Sequence, residues 1–207
     1  MNDPQIFNPF GSNLLKHQVP DTVFTTLAQE VENIRPYLND QAFIEKYNMS
    51  DYLAGHNSYQ VKLPAEFLKA NDIESYLLSI GQYYCQSHGI EKSLKLGSVW
   101  INYAYRGDFN PIHNHDALLS GVIYVIQDQK INDEMDSVTN FRQMTAIPGA
   151  THFVYKTDHN MFDKTFYTNR SEPGQLLMFP SWLSHFVNPF NSDSERVSIA
   201  FNILENI

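Results

Sequence analysis

Two histidines two residues apart, His113 and His115, lie in the run Asn110-Pro-Ile-His-Asn-His-Asp116. On an extended backbone, side chains two apart share a face, so both imidazoles can reach one cation. Such a pair alone is better explained as a polar loop whose histidines meet water. A third histidine shifts the balance. His185 lies 70 residues beyond His115 and closes Phe179-Pro-Ser-Trp-Leu-Ser-His185 after an apolar run that begins at Pro173-Gly-Gln-Leu-Leu-Met. A buried strand that delivers a histidine beside a tryptophan suits a third metal ligand. Eleven residues further on comes Arg196-Val-Ser198. Strand alternation turns Arg196 and Ser198 to one face and Val197 and Ile199 to the other. A guanidinium so placed can hold a carboxylate through two parallel hydrogen bonds.

These groups need a scaffold, and the chain changes texture along its length. From Asp21, residues Val23, Leu27, Val31 and Ile34 recur at helical spacing, with Asp21 or Thr22 as the cap. A second helix is expected from Pro64 to His88, ending at Gly89, with Leu68, Ile73, Tyr76, Leu77, Ile80 and Tyr84 inward. Beyond Gly97, short runs rich in Val, Ile, Tyr and Phe alternate with Gly, Pro, Asn and Asp. Strands are expected at Ser98–Tyr105, Leu118–Ile126, His152–Tyr155, Gln175–Phe179, Ser184–Val187 and Arg196–Leu204, with a long polar insertion between Gln127 and Ala150. Helices followed by strands predict an α+β chain in which N-terminal helices buttress a jelly roll or related sandwich.

A length of 207 residues suits one domain with a full core. Hydrophobic content of 43% and aromatic content of 14% supply the apolar surface that offsets chain entropy. With 23 acidic against 14 basic side chains, the net charge of −9 repels a phosphate backbone, so no nucleic-acid partner is expected. No apolar run spans a membrane, and the N-terminus lacks the basic start and apolar core of a secretory signal. A single cysteine, Cys85, makes no internal disulfide and sits in a helical setting, which fits a reducing cytoplasm. Oligomeric state is not encoded legibly, and a homodimer stays open.

The order His-x-His, Phe-Pro-Ser-Trp-Leu-Ser-His, Arg-x-Ser closely resembles the Fe(II)/2-oxoglutarate-dependent oxygenases, in particular a small branch found in bacteria and their viruses. The resemblance rests on Trp100-Ile-Asn102, Gly107, His113-Asn-His115, Leu119-Ser-Gly-Val-Ile-Tyr124, Phe179-Pro-Ser-Trp-Leu-Ser-His185 and Arg196-Val-Ser-Ile-Ala-Phe-Asn202. It covers the second half of the chain. The first half matches only in helical texture and in Leu53-Ala-Gly. What it implies is a double-stranded β-helix over residues 96–207, supported by mainly helical residues 1–95, as one domain. It also implies iron held by His113, His115 and His185, and a distal 2-oxoglutarate carboxylate held by Arg196 and Ser198. The 2-oxo acid end then chelates the iron, one position remains for O₂, and decarboxylation to succinate and CO₂ accompanies oxidation, as in a hydroxylase. In one respect the chain departs from the common pattern of two histidines and a carboxylate: His115 stands where that pattern has Asp or Glu. Three neutral imidazoles leave the site one unit more positive, which favours a dianionic co-substrate. Asp116 is the alternative ligand, although on a regular strand it faces away from His113.

Other residues carry less specific signals. Asn102 and Tyr105 precede the metal motif and either contact co-substrate or substrate or are simple cross-strand partners. Tyr124 either donates to the co-substrate carboxylate or is a core tyrosine. Trp182 is expected to pack under the loop bearing His185, and His17, His56, His88, His152 and His159 fit no ligand spacing. Two other functions compete. A cupin-like enzyme would hold a metal with three histidines and no 2-oxoglutarate, but has no need of Arg196. A non-catalytic jelly-roll module would bind a glycan or partner, but has no need of clustered histidines. The substrate, a small molecule or a peptide, is not legible.

Overall fold

From Val99 to Ala104 every residue is buried, yet odd and even positions meet different surroundings. Val99, Ile101 and Tyr103 join an apolar core, while Trp100 and Asn102 line a cavity on the other side. The computed structural model describes residues 4–7, 13–49, 56–138, 147–155 and 166–206. In chain order the elements are β1 (Gln5–Phe7), β2 (Leu14–Gln18), α1 (Asp21–Ile34), α2 (Gln41–Tyr47), β3 (Tyr59–Lys62), α3 (Ala65–Ala70), α4 (Ile73–Ser87), β4 (Leu94–Tyr105), β5 (Asn110–His113) and β6 (Leu119–Gln127). They continue as α5 (Gln129–Asp136), β7 (Thr151–Val154), β8 (Phe166–Asn169), β9 (Gln175–Pro180), β10 (Ser184–Val187) and β11 (Glu195–Glu205).

The strands form a seven-stranded sheet, β1-β2-β9-β6-β11-β4-β3, and a four-stranded sheet, β5-β10-β7-β8. Among the described residues every strand pairing is antiparallel. This is the expected α+β jelly-roll architecture. On the outer face of the large sheet, Leu27 and Val31 of α1 and Leu77 and Ile80 of α4 pack against Ile101, Ile123, Ile199, Phe201 and Ile203. Each such aliphatic side chain contributes about 1.5–3 kcal/mol when fully buried. Polar contacts fix the orientation of α1 as well. The Tyr103 hydroxyl donates to the Val31 carbonyl at 2.7 Å, and Arg35 pairs with Glu195 at 2.7 Å. Between the sheets a second core holds Leu14, Tyr124, Phe153, Leu177, Phe179 and Leu183.

Several elements differ from the sequence expectation. Strands β1, β2 and β3 lie in the supposedly helical first half and extend the large sheet, because short runs such as Tyr59–Lys62 carry no periodic signal. The long helix is broken into α3 and α4 at Asp72, whose φ of 57° is left-handed, a conformation Asp tolerates better than most residues. At the start of α1 the capping position is Pro20, with no side-chain cap, in place of Asp21 or Thr22. Helix α5 and strand β8 fall in polar segments, and β5 was hidden by Pro111, which an edge strand accepts. Leu53-Ala-Gly and His159 lie outside the described residues. Among the described residues no helix is long and apolar enough to cross a membrane.

Gly121 on β6 lets the large sheet close over Phe201. A Cβ there would sit 2.2 Å from the Phe201 ring, which is itself fully buried. Gly121→Ala is therefore expected to overpack the core and cost about 1–3 kcal/mol, read as a lower urea midpoint with an unchanged slope.

Candidate metal centre and adjoining cavity

Strand β10 lies between β5 and β7, and its antiparallel register with β5 sets His185 directly opposite His113. Their rings lie 4.3 Å apart. His115 follows the end of β5, where its N–H donates to the Ser181 carbonyl at 3.0 Å, and its ring is 5.0 Å from that of His113 and 5.2 Å from that of His185. One nitrogen from each of the three rings lies within 4.8 Å of the others, close enough to be drawn onto one ion. Among the described residues this is the one group of three or more His, Cys, Asp or Glu side chains with that geometry. Asp116 is exposed and stands outside it.

The backbone settles the tautomers. His113 Nδ1 lies 2.7 Å from the Pro111 carbonyl and His185 Nδ1 lies 2.9 Å from the Leu183 carbonyl. A carbonyl only accepts, so each Nδ1 carries the proton and each Nε2 keeps its lone pair for a metal. Burial holds the imidazoles neutral: His185 is pushed down to about 3, His115 to about 4, and His113 is lowered as well. The repulsion among the three rings acts in the same direction for His115 and His185.

A cavity of about 60 Å³ adjoins the histidines and is lined also by Gln60, Trp100, Asn102, Thr151, Arg196 and Ser198. Arg196 is 4% exposed, and no carboxylate pairs with it among the described residues. Its guanidinium donates to Thr151 Oγ1 at 3.2 Å and Ser171 Oγ at 3.4 Å, and lies 5.2 Å from the centre of the Tyr124 ring. The neighbouring acid, Glu195, points across the sheet to Arg35. Burial lowers the Arg196 pKa, the mark of a cation lacking a counter-charge. A buried guanidinium without an anion is costly, and a carboxylate entering the cavity removes that cost.

Residues 98–202 match the family model described as "Putative 2OG-Fe(II) oxygenase". The chain belongs to this family. No curated protein matches the sequence. Solved structures share the fold of the oxygenase at low identity. A Pseudomonas putida prolyl-4-hydroxylase is 14% identical over 96% of this chain and 94% of that one, with a TM-score of 0.63. AviO1 from Streptomyces viridochromogenes is 11% identical over 94% and 90%, at 0.62. HygX from Streptomyces hygroscopicus, solved with nickel and 2-oxoglutarate bound, is 12% identical over 95% and 84%, at 0.57.

The oxygenase thus takes Fe(II) as its metal and 2-oxoglutarate as its co-substrate, and its donor set fits both. Three lone-pair nitrogens suit a divalent transition ion, and the uncompensated Arg196 suits a dicarboxylate. Of the residues singled out in the sequence, His113, His115, His185, Asn102, Arg196 and Ser198 share one cavity wall. Tyr124 does not reach that wall. It is fully buried, and its hydroxyl donates to Thr151 Oγ1 at 2.8 Å, so it acts on the cavity through Thr151 and Arg196. Tyr105 faces the other way and packs edge-on against Tyr59, because an odd position on β4 points to the helices. Trp182 is corrected too. It is 54% exposed beside Tyr155, and Leu183 fills the interior in its place because the turn after Pro180 directs Leu183 inward. Sequence reasoning missed Thr151 and Gln60, whose short strands carry no motif, and their roles follow only from cross-strand neighbours.

Two outcomes are expected of the metal-free and metal-loaded protein. His115→Ala should abolish Fe(II) or Mn(II) binding while Asp116→Ala retains it, as read by calorimetry; the reverse result reassigns the ligand. Without metal, unfolded histidines take up protons below about pH 6.5, whereas His115, His152 and His185 resist protonation to about 4, 4 and 3. The unfolded state then binds more protons, so the urea midpoint should fall as pH drops from 6.5 towards 4.

Proposed function

We propose that this oxygenase hydroxylates a small molecule or a peptide side chain, with His113, His115 and His185 holding Fe(II) and with Arg196 and Ser198 holding the distal carboxylate of 2-oxoglutarate. The observation that carries this reading is a buried arginine with no carboxylate partner among the described residues, in the same cavity as three neutral imidazoles. Bound iron with 2-oxoglutarate supplies the oxidising chemistry by reaction with O₂, yielding succinate and CO₂. The protein's own groups position and enclose. Arg196 offers a planar fork to the far carboxylate, steadied by Thr151 and by the Tyr124 ring. Ser198 stands two residues along the same strand face and adds a hydroxyl, while Asn102 borders it at 3.5 Å. The carbonyls of Pro111 and Leu183 hold the Nδ1 hydrogens of His113 and His185, which would leave each Nε2 to bind the ion.

The same reading takes residues 1–207 as one domain working in the cytoplasm without nucleic acid. Cys85 fits that role: it is buried in α4, and burial raises its thiol pKa away from reactivity. A cupin-like site that dispenses with 2-oxoglutarate would leave Arg196 buried without purpose.

Anaerobic addition of Fe(II) and 2-oxoglutarate should produce the weak visible charge-transfer band of the chelate. Calorimetry on Mn(II)-loaded protein should then show Arg196→Ala weakening 2-oxoglutarate binding roughly thirty-fold or more, since breaking such a pair costs about 2–5 kcal/mol. Arg196→Lys keeps the charge but loses the fork and should be intermediate, with metal affinity unchanged in both. Parent-like affinity in both variants would move the co-substrate elsewhere.

A further inference from the structure

Gln60 of β3 lies opposite Asn102 of β4, which lies opposite Ser198 of β11. These three polar side chains form a row across the cavity face of the large sheet. Gln60 is 1% exposed and lines both the inner cavity and a wider outer cleft of about 420 Å³ that shares Trp100, His113 and His115. It stands where the two spaces meet, beside the metal centre.

The orientation of its amide follows from an indole. Trp100 Nε1 carries a hydrogen and can only donate, and it lies 3.1 Å from Asn102 Oδ1, so that atom is the oxygen. Asn102 Oδ1 also receives the Gln60 side chain at 2.7 Å, so the Gln60 atom facing it is Nε2. What remains is Oε1, an acceptor, and it is buried with no hydrogen-bond partner among the described residues. A buried acceptor without a donor is costly, so an orphan on a site wall calls for a ligand that supplies one.

The co-substrate cannot be that ligand, because 2-oxoglutarate presents acceptors only. A donor carried by the molecule in the outer cleft would satisfy it. That cleft offers apolar surface from Met49, Trp100, Pro111 and Ile112, and among the described residues its one charged side chain is the carboxylate of Asp116. This surface disfavours an anion and suits an uncharged group with an apolar flank. We propose that Gln60 is a specificity-determining residue whose Oε1 accepts a hydrogen bond from an uncharged N–H or O–H group of the primary substrate. The inference rests on the reading of the inner cavity as the iron and 2-oxoglutarate site.

The test uses ¹⁵N-labelled protein loaded with Zn(II) and 2-oxoglutarate and two probes, N-methylacetamide, which has one N–H, and N,N-dimethylacetamide, which has none. Titrations follow the Gln60 side-chain amide and the Trp100 indole resonance by NMR, and calorimetry measures 2-oxoglutarate binding in the same preparation. The expected result is that N-methylacetamide shifts both signals with a Kd roughly ten-fold below that of N,N-dimethylacetamide, the worth of one net hydrogen bond. Gln60→Met should shrink that preference to less than about two-fold at the Trp100 signal. Equal binding of the two probes, no shift of the Gln60 amide while 2-oxoglutarate binds, or a preference that survives Gln60→Met each overturns the proposal. Failure of 2-oxoglutarate itself to bind overturns the underlying reading, and the proposal with it.

Discussion

The alternation of β11 governs the rest of the molecule. This strand is hydrogen-bonded to β4 on one side and β6 on the other, so its register is held twice. Val197, Ile199, Phe201 and Ile203 supply the core under the helices, while Arg196 and Ser198 face the cavity. A slip of one residue would exchange the two sets, placing a guanidinium among aliphatic side chains and an isoleucine beside the imidazoles. The fit of Phe201 over Gly121 opposes that slip, because only a residue without a Cβ leaves room for the ring.

The small sheet imposes a complementary constraint. His113 and His185 meet because β5 and β10 are paired in one register, and His115 joins them through a backbone bond to the turn that precedes β10. The histidine cluster therefore comes from one sheet and its flank, and the buried arginine from the other. The cavity exists only where the two faces meet, and its chemistry depends on both sheets folding correctly.

Electrostatics within that cavity run in one direction. Desolvation keeps three histidines neutral, and among the described residues Arg196 has no anionic partner and no acidic side chain lines the inner space. Once a divalent ion is added, the site is strongly positive, and a dianion is the natural complement. The outer cleft differs in kind: it is edged by Asp116 and carries the orphan acceptor of Gln60. The two spaces thus favour ligands of different charge although they share a wall.

The sequence by itself determined the chemistry that short spacings encode. His113 and His115 two apart, and Arg196 and Ser198 two apart, share faces wherever the backbone is extended, so their grouping was legible without a fold. Helix α1 and the long strands β4, β6 and β11 were legible from periodicity for the same local reason. Tertiary structure alone decided what depends on contacts distant in sequence. It set His115 beside His113 and His185 through the Ser181 carbonyl and left Asp116 outside that cluster, placed Tyr124 behind the wall instead of on it, and turned Leu183 inward in place of Trp182. It also brought Gln60 and Thr151 to the cavity from strands of four residues. Such strands carry too few residues for a period to show, and their side chains acquire a role only from the neighbours that pairing places beside them.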